Sequence, residues 1–395
     1  MHTLTIETAE VLLLIAAIVS MLARRLRVPY TAGLVVAGLG VSFIGRAFDV
    51  GLTNELIYSV FLPPLVFEAA YQTKWKPLVA DLAVISTLSI LGVLLSAGVC
   101  CALMHYLAGW EWQPSLLFGI LISATDPVAV LAMFKEWAVA PRLKLLIESE
   151  SLINDGSVAV LFAVALAAVA GAAPTASSVV VSFAQNLLGG IGCGAAVGFG
   201  TLLLAGTAEE PFVEITFTTV AAFGSFLLAQ HLGCSGILST MTAGIIIGNL
   251  EAWNSFTTRG RTAVDSFWQY AAFVVNSLIF LLIGIRISKQ PLGGHLLTGA
   301  IAIGSVLVAR MVGVVACTLP FMGSKWKVSG AHQTILIWGG MRGALALALA
   351  LSLPDMPRRA EVTAAAFAVV AFSILVQGMT LSPLIARLDE APAGG

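Results

Sequence analysis

A short polar stretch interrupts an otherwise apolar part of the chain. Residues 148–157 read Glu-Ser-Glu-Ser-Leu-Ile-Asn-Asp-Gly-Ser, and residues 158–170 after them are continuously apolar. Together they predict one membrane-spanning helix that carries Ser151, Asn154 and Asp155 inside the hydrocarbon layer. A carboxylate at that depth costs about 3 kcal/mol even on a lenient insertion scale. Such a group is normally retained because it binds or relays an ion, and a satisfied structural charge is the alternative interpretation.

The spacing divides these polar groups between two neighbouring helix faces. Ser151 and Asp155 are four residues apart and share one face, and Glu150 and Asn154 share the next. A hydroxyl and a carboxylate are hard oxygen ligands that suit a small cation. Glu150 could instead pair with an arginine elsewhere, and Gly156 leaves room for another backbone to approach.

A second acid, Asp126, lies before a proline in Ser123-Ala124-Thr125-Asp126-Pro127. Proline removes a backbone donor and disfavours the helical conformation of the residue before it. The motif therefore predicts a helix interruption in mid-membrane, where Asp126 and the freed carbonyls could face an ion. In the alternative interpretation Asp126 caps the second half-helix, and the two roles are compatible.

An arginine among glycines marks another interruption, because residues 339–343 read Gly-Gly-Met-Arg-Gly between apolar runs. We expect Arg342 to neutralise Glu150, or the carbonyl ends of a half-helix, rather than to contact a cation. Arg310 also lies in an apolar run, and its partner is left open.

A third acid, Glu68, follows a double proline in Leu62-Pro63-Pro64-Leu65-Val66-Phe67-Glu68. Lys74 and Lys76 come soon after it, so Glu68 is nearer the inner end of its segment. It could line an access path or contact the ion through water. Equally, it could be an acid at the interface that is solvated from inside.

The composition predicts that these groups belong to an all-α polytopic membrane protein. Of the 395 residues, 58% are hydrophobic and 10% are charged, and the mean hydropathy is +0.97. No soluble globular domain has this composition. The net charge of −1 gives no support for nucleic acid binding.

Thirteen hydrophobic segments are predicted, and the two interruptions fall in the fifth and the twelfth. This offset predicts two inverted six-helix repeats, with the seventh segment as a connecting helix. Paired interruptions at corresponding positions of two repeats are typical of a site at the membrane midplane of a secondary transporter. The segments are 7–24, 29–48, 53–72, 77–108, 113–135, 142–171, 178–206, 211–232, 235–251, 262–288, 295–322, 329–352 and 360–387.

The basic residues of the connections predict that the N-terminus is outside and the C-terminus is in the cytoplasm. Thirteen of them fall on the inner face: Arg24, Arg25, Arg27, Lys74, Lys76, Lys135, Arg142, Lys144, Arg259, Arg261, Lys325, Lys327 and Arg387. Five fall on the outer face: Arg46, Arg286, Lys289, Arg358 and Arg359. As in an aromatic belt, six tryptophans lie near predicted span ends: Trp75, Trp110, Trp112, Trp137, Trp253 and Trp326.

Three motifs together resemble the sodium/proton exchanger branch of the monovalent cation:proton antiporters (NhaP-like and NHE-like proteins). They are Ala124-Thr125-Asp126-Pro127, Glu150-Ser151-Leu152-Ile153-Asn154-Asp155 and Gly339-Gly340-Met341-Arg342-Gly343-Ala344. The segment that ends at Glu68 is similar to the third-helix motif of that family. The resemblance covers nearly the whole chain, and the combination of motifs is specific.

The resemblance implies a role for each matching residue. Asp155 alternately holds a proton and the cation, and Asn154 replaces a second aspartate of electrogenic relatives, which favours electroneutral exchange. It implies that Glu150 and Arg342 form a salt bridge that steadies the crossed helices. The sodium ion would be bound by Asp155, Asp126, Thr125 and Ser151, with Glu68 near the site.

The resemblance also implies a homodimer in the cell membrane with a role in pH homeostasis. It implies a mobile ion-binding core, residues 77–171 and 295–387, and a dimerisation scaffold, residues 1–76 and 211–288, with residues 178–206 as the connecting helix. No cofactor is implied beyond the transported ions and protons, which with the lipid bilayer are the predicted partners.

The predicted function is therefore one-for-one exchange of sodium or lithium for protons by competition at Asp155. Potassium/proton exchange at the same site is the alternative. A remote alternative is an intramembrane aspartyl protease with Asp126 and Asp155 as its dyad. The Gly-x-Gly-Asp sequence usual in such proteases is absent around either residue, so a transporter is favoured over an enzyme.

Overall fold

The computed structural model describes residues 6–26, 28–44, 53, 55–134, 139–169, 176–205, 210–249, 258–289 and 295–389. Within these ranges all regular structure is helical. The ends of several predicted segments lie outside the described residues, as do Arg27, Arg46, Lys135, Trp137 and Trp253. The helices are α1 Ile6–Leu26, α2 Tyr30–Ile44, α3 Leu62–Gln72, α4 Trp75–Ala80, α5 Leu82–Ser86, α6 Gly92–Ala108, α7 Trp112–Leu121, α8 Val128–Phe134, α9 Pro141–Val169, α10 Ala176–Ala205, α11 Pro211–His231, α12 Gly236–Asn249, α13 Thr258–Ser288, α14 Leu296–Thr318, α15 Gly330–Trp338, α16 Ala344–Leu351, α17 Arg359–Phe372 and α18 Gly378–Asp389.

The all-α membrane class is confirmed. Each predicted segment contains a helix. Wider π-helical turns at Thr87–Leu91 and Ser373–Gln377 join neighbouring helices, and another at Leu56–Phe61 leads into α3. Seven helices of the described residues are long and apolar enough to cross a membrane, and three apolar helices are shorter. The count of thirteen spans stays a prediction.

One compact unit comprises residues 1–57, 83–154 and 277–395. In it α6 packs against both α7 and α14. Glycine allows these close approaches: a Cβ at Gly119 would lie 2.4 Å from the Ala97 carbonyl oxygen, and one at Gly313 would lie 2.6 Å from the Ser96 hydroxyl. Ser96 also donates to the carbonyl of Ala309 at 3.2 Å. These contacts fix the part of α14 that carries the next residue, Arg310.

The other compact unit comprises residues 58–82 and 155–276. Its core forms where α3, α11 and α13 present aromatic rings: Phe67 and Trp268 have centroids 4.5 Å apart. The indole nitrogen of Trp268 donates to the Thr218 hydroxyl at 3.0 Å, so its polar atom is satisfied. Gly156 is closely packed, but by the side chain of Leu238, which would lie 2.4 Å from an added Cβ, rather than by the expected backbone.

These packing units are not the predicted functional parts, because residues 1–57 belong to the same unit as the interrupted helices. The predicted division concerns which parts move during transport, whereas the units reflect static packing. The division into core and scaffold therefore stays a prediction.

Candidate ion-binding site

The two predicted interruptions are present and touch each other. The first separates α7, which ends at Leu121, from α8, which begins at Val128. The second lies between α15 and α16, at residues 339–343. The backbone N–H of Asp126 donates to the carbonyl of Met341 at 2.7 Å, which joins the two non-helical stretches directly. Non-helical backbone at membrane depth is tolerated only where such partners satisfy it.

Charged side chains occupy the helix ends at this crossing. The guanidinium of Arg342, which is 2% exposed, donates to the carbonyls of Ser123 at 2.7 Å and Ala124 at 3.2 Å, just beyond the end of α7. Asp126 accepts from the N–H of Val128 at 3.0 Å, at the start of α8. Its other oxygen lies beside Gly343, immediately before α16. The cationic Arg342 therefore faces the carbonyl end of α7, and the anionic Asp126 faces the amide ends of α8 and α16. The helix dipole favours both arrangements.

The buried carboxylate of Glu150 pairs with Arg310, and the predicted pair with Arg342 is wrong. The Arg310 guanidinium binds both carboxylate oxygens, through Nη1 to Oε1 and through Nη2 to Oε2 at 3.0 Å. Its Nε and Nη2 also donate to the carbonyl of Leu336 at 3.2 and 2.9 Å, near the end of α15. Arg342 takes the second role foreseen for it, at the carbonyl end of a half-helix. The sequence alone leaves the partner of Arg310 open, because the place of this arginine in an apolar run is the only available signal.

A hydrogen-bonded triad connects the first interruption to α9. The hydroxyl groups of Thr125 and Ser151 are 2.8 Å apart. The side-chain amide of Asn154 donates to the Thr125 hydroxyl at 2.7 Å and accepts from the Thr125 N–H at 3.4 Å. All three residues are buried. The triad is a cluster of neutral oxygen and amide groups in an apolar interior, so it can supply ligands without adding charge.

Asp155 directly follows two members of this triad, Ser151 and Asn154, on α9. The helix continues without interruption from Pro141 to Val169, so Asp155 lies one turn beyond Ser151 and on the same face. Asp155 is half-buried, as is Glu68 on α3. The structure thus brings Thr125, Ser151 and Asn154 together and places Asp126 at the crossing.

Replacing Gly343 by alanine is expected to displace the Asp126 carboxylate. The added Cβ would fall 2.5 Å from Cγ of Asp126 and closer still to one of its oxygens. Overpacking of this kind costs about 1–3 kcal/mol, so a lower thermal unfolding temperature and slower transport should follow. Gly330→Ala is the matched control, because no atom lies within 4 Å of its added Cβ. Equal stability of the two variants would contradict the placement of Asp126.

Removing the Thr125 hydroxyl while keeping the side-chain shape is expected to weaken cation binding. In Thr125→Val the amide of Asn154 and the hydroxyl of Ser151 lose a buried partner, at a cost of about 1–3 kcal/mol. The change also removes one oxygen ligand proposed for the cation, and the loss of a contact worth about 1.4 kcal/mol lowers the apparent affinity roughly tenfold. Thr125→Ser retains the hydroxyl and should stay close to the unmodified protein. Similar affinities for the valine and serine variants would rule out a role for the hydroxyl.

Two interrupted helices in direct contact, with compensating charges at their ends and a polar cluster beside them, define a secondary transporter. The chain belongs to the sodium/hydrogen exchanger family, whose transmembrane-region model matches residues 11–387. This membership accounts for the three motifs, and it makes the protein a transporter rather than an enzyme.

Individual relatives agree with this assignment, and a solved structure has the same fold. The Na(+)/H(+) antiporter ApNhaP of Aphanothece halophytica is 37% identical over 92% of this chain and 70% of its own length. The Na(+)/H(+) antiporter NhaP of Pseudomonas aeruginosa is 35% identical over 85% of this chain and 81% of its own. The structure of the sodium proton antiporter MjNhaP1 from Methanocaldococcus jannaschii matches with a TM-score of 0.80 at 19% identity, and covers 97% of this chain and 98% of that one. The last comparison establishes the fold.

Proposed function

We propose that this protein exchanges sodium or lithium ions for protons across the membrane, one for one, with Asp155 holding either ion in turn. The observation that carries the proposal is the buried triad of Thr125, Ser151 and Asn154, two members of which directly precede that carboxylate on α9. A cation needs several oxygen ligands, and a buried carboxylate otherwise favours its protonated form.

Coupling follows from competition for one carboxylate. A carboxylate withdrawn from water favours its protonated form, whereas a nearby cation favours the ionised form. With neither bound, the ionised carboxylate is too costly to carry across the low-dielectric barrier. The protein therefore changes its access from one side to the other only when Asp155 is occupied, which links the two fluxes.

The remaining predicted residues have supporting roles in this proposal. Asp126, Thr125 and Ser151 complete the cation site with Asp155, and Glu68 acts near it. Asn154 is neutral and already donates to Thr125, so it adds no second exchangeable charge. This supports the transfer of one cation against one proton.

The test is the cation-induced collapse of a pH gradient in proteoliposomes, with sodium, lithium and potassium added separately. We expect collapse with sodium or lithium, at a rate that does not change when the membrane potential is clamped, because the exchange moves no net charge. Protein-free liposomes are the control. Collapse with potassium alone would mean that potassium is the transported cation and that the mechanism is unchanged. No response to any cation would contradict the proposal.

The proposal also covers the oligomeric state of the protein, its orientation in the membrane and the parts that move. The protein acts as a homodimer in the cell membrane and contributes to pH homeostasis, with its N-terminus outside and its C-terminus in the cytoplasm. Residues 77–171 and 295–387 form the moving part, and residues 1–76 and 211–288 form the scaffold. Support comes from the basic residues of the connections and from the family motifs.

A further inference from the structure

The sequence Lys-Trp-Lys occurs twice, and neither copy contributes to the ion site. One copy, Lys74-Trp75-Lys76, runs from the turn after α3 into the first two residues of α4, and the other, Lys325-Trp326-Lys327, lies between α14 and α15. The count of basic residues places both turns on the inner face. All four lysines are exposed.

In each copy a polar side chain from another helix fixes the backbone of the turn. The side-chain amide of Asn249 accepts from the N–H of Trp75 at 2.7 Å and donates to the carbonyl of Thr73 at 2.8 Å. The guanidinium of Arg142 donates to the carbonyls of Trp326 at 3.0 Å and Lys327 at 2.8 Å. Both turns are thereby held in one conformation while their lysines project into solvent.

The surroundings of both turns are those of a membrane surface. Leu319 and Met322 are 55% and 56% exposed before the second copy, and Val79 and Leu82 are 45% and 42% exposed after the first. Such apolar side chains suit acyl chains. Tryptophan favours the headgroup level. Lys325 lies 4.7 Å above the ring of Trp326, a cation–π contact that orients its ammonium group.

We propose that each Lys-Trp-Lys turn is a binding site for the phosphate headgroup of an anionic phospholipid. Two ammonium groups flank a ring that sits at the headgroup level, so their charge is complementary to that of the lipid phosphate. The second turn has Arg142 as an additional cation at its base. The nearest acid along α9, Glu148, pairs with Lys144 at 3.6 Å. Each fixed turn ties its segment to the inner leaflet through lipid.

The test measures lipid enrichment around each tryptophan without reference to transport. The full-length protein is placed in vesicles that contain a minority of phosphatidylglycerol in phosphatidylcholine. Bromine is carried on the acyl chains of one lipid or of the other, so both vesicle sets have the same surface charge. The fluorescence of Trp75 or Trp326 is obtained as the difference between the protein and its Trp75→Phe or Trp326→Phe counterpart.

We expect brominated phosphatidylglycerol to quench both tryptophans beyond its share of the lipid. Each basic residue near anionic headgroups contributes a factor of about five. Lys74→Gln/Lys76→Gln and Lys325→Gln/Lys327→Gln should therefore each lower the affinity for phosphatidylglycerol at their own turn roughly 25-fold, which brings its quenching close to its share of the lipid. The control, Lys289→Gln/Arg359→Gln, changes basic residues of the predicted outer face. It should leave the enrichment of phosphatidylglycerol at both Lys-Trp-Lys turns unchanged. Quenching in proportion to lipid content, or enrichment that survives the loss of both lysines, would overturn the assignment for that turn.

Discussion

Asp155→Asn is expected to abolish cation-induced collapse of the pH gradient in proteoliposomes. Asparagine keeps the shape of the side chain but can neither release a proton nor neutralise a bound cation. Because both ions are proposed to compete for this carboxylate, its removal should eliminate both half-reactions and not merely weaken one. A protein that retained coupled exchange after this change would have its exchangeable site elsewhere.

The control for this experiment separates loss of chemistry from loss of structure. Asp355 is fully exposed, and its only described ion pair is with Arg359 at 3.5 Å, so Asp355→Asn makes the same chemical change outside the membrane interior. We expect normal exchange from that variant. The elution volume and the unfolding temperature of Asp155→Asn are measured beside its transport, and a folded variant without exchange is the expected result.

Arg310→Met is expected to destabilise the protein by about 3–5 kcal/mol, the usual cost of leaving one partner of a buried ion pair uncompensated. Two groups lose their partner at once: the carboxylate of Glu150 and the carbonyl of Leu336. The measurement is thermal unfolding in detergent. A small shift would mean that Glu150 finds another cation, Arg342 included.

The double variant Glu150→Leu/Arg310→Met should recover much of that loss, because a buried pair replaced by apolar side chains of similar volume is often neutral. Recovery should be incomplete, since the Leu336 carbonyl still lacks its donor. Arg359→Met is the matched control on an arginine that is exposed, and we expect it to change stability little. If the single and double variants were equally unstable, the role of Arg310 would lie in packing and not in charge.

Sequence reasoning located the interruptions but not every partner within them. Pro127 and the glycines of residues 339–343 act on their own backbone, so their effect can be predicted locally. The spacing on α9 put Ser151 and Asn154 on neighbouring helix faces, and the structure shows that both reach Thr125. The choice between Arg310 and Arg342 as the partner of Glu150 depends on which guanidinium reaches the carboxylate after helices distant in sequence have packed. No local pattern encodes that choice.

The same limit applies to Gly156. Its lack of a side chain predicted a close approach, but whether backbone or side chain makes that approach depends on the partner helix. The structure places Leu238 there. Predictions about backbone conformation were thus confirmed more readily than predictions about contacts between distant segments.

In their ionised forms, the four charged side chains around the helix crossing sum to zero: Arg310 and Arg342 balance Glu150 and Asp126. Equal and opposite charges in one region largely cancel each other's potential at distances well beyond their separation. A cation that enters from either solution therefore meets almost no long-range field from this set. Its selection rests on the few oxygen atoms it touches, and their distances set which ion is carried.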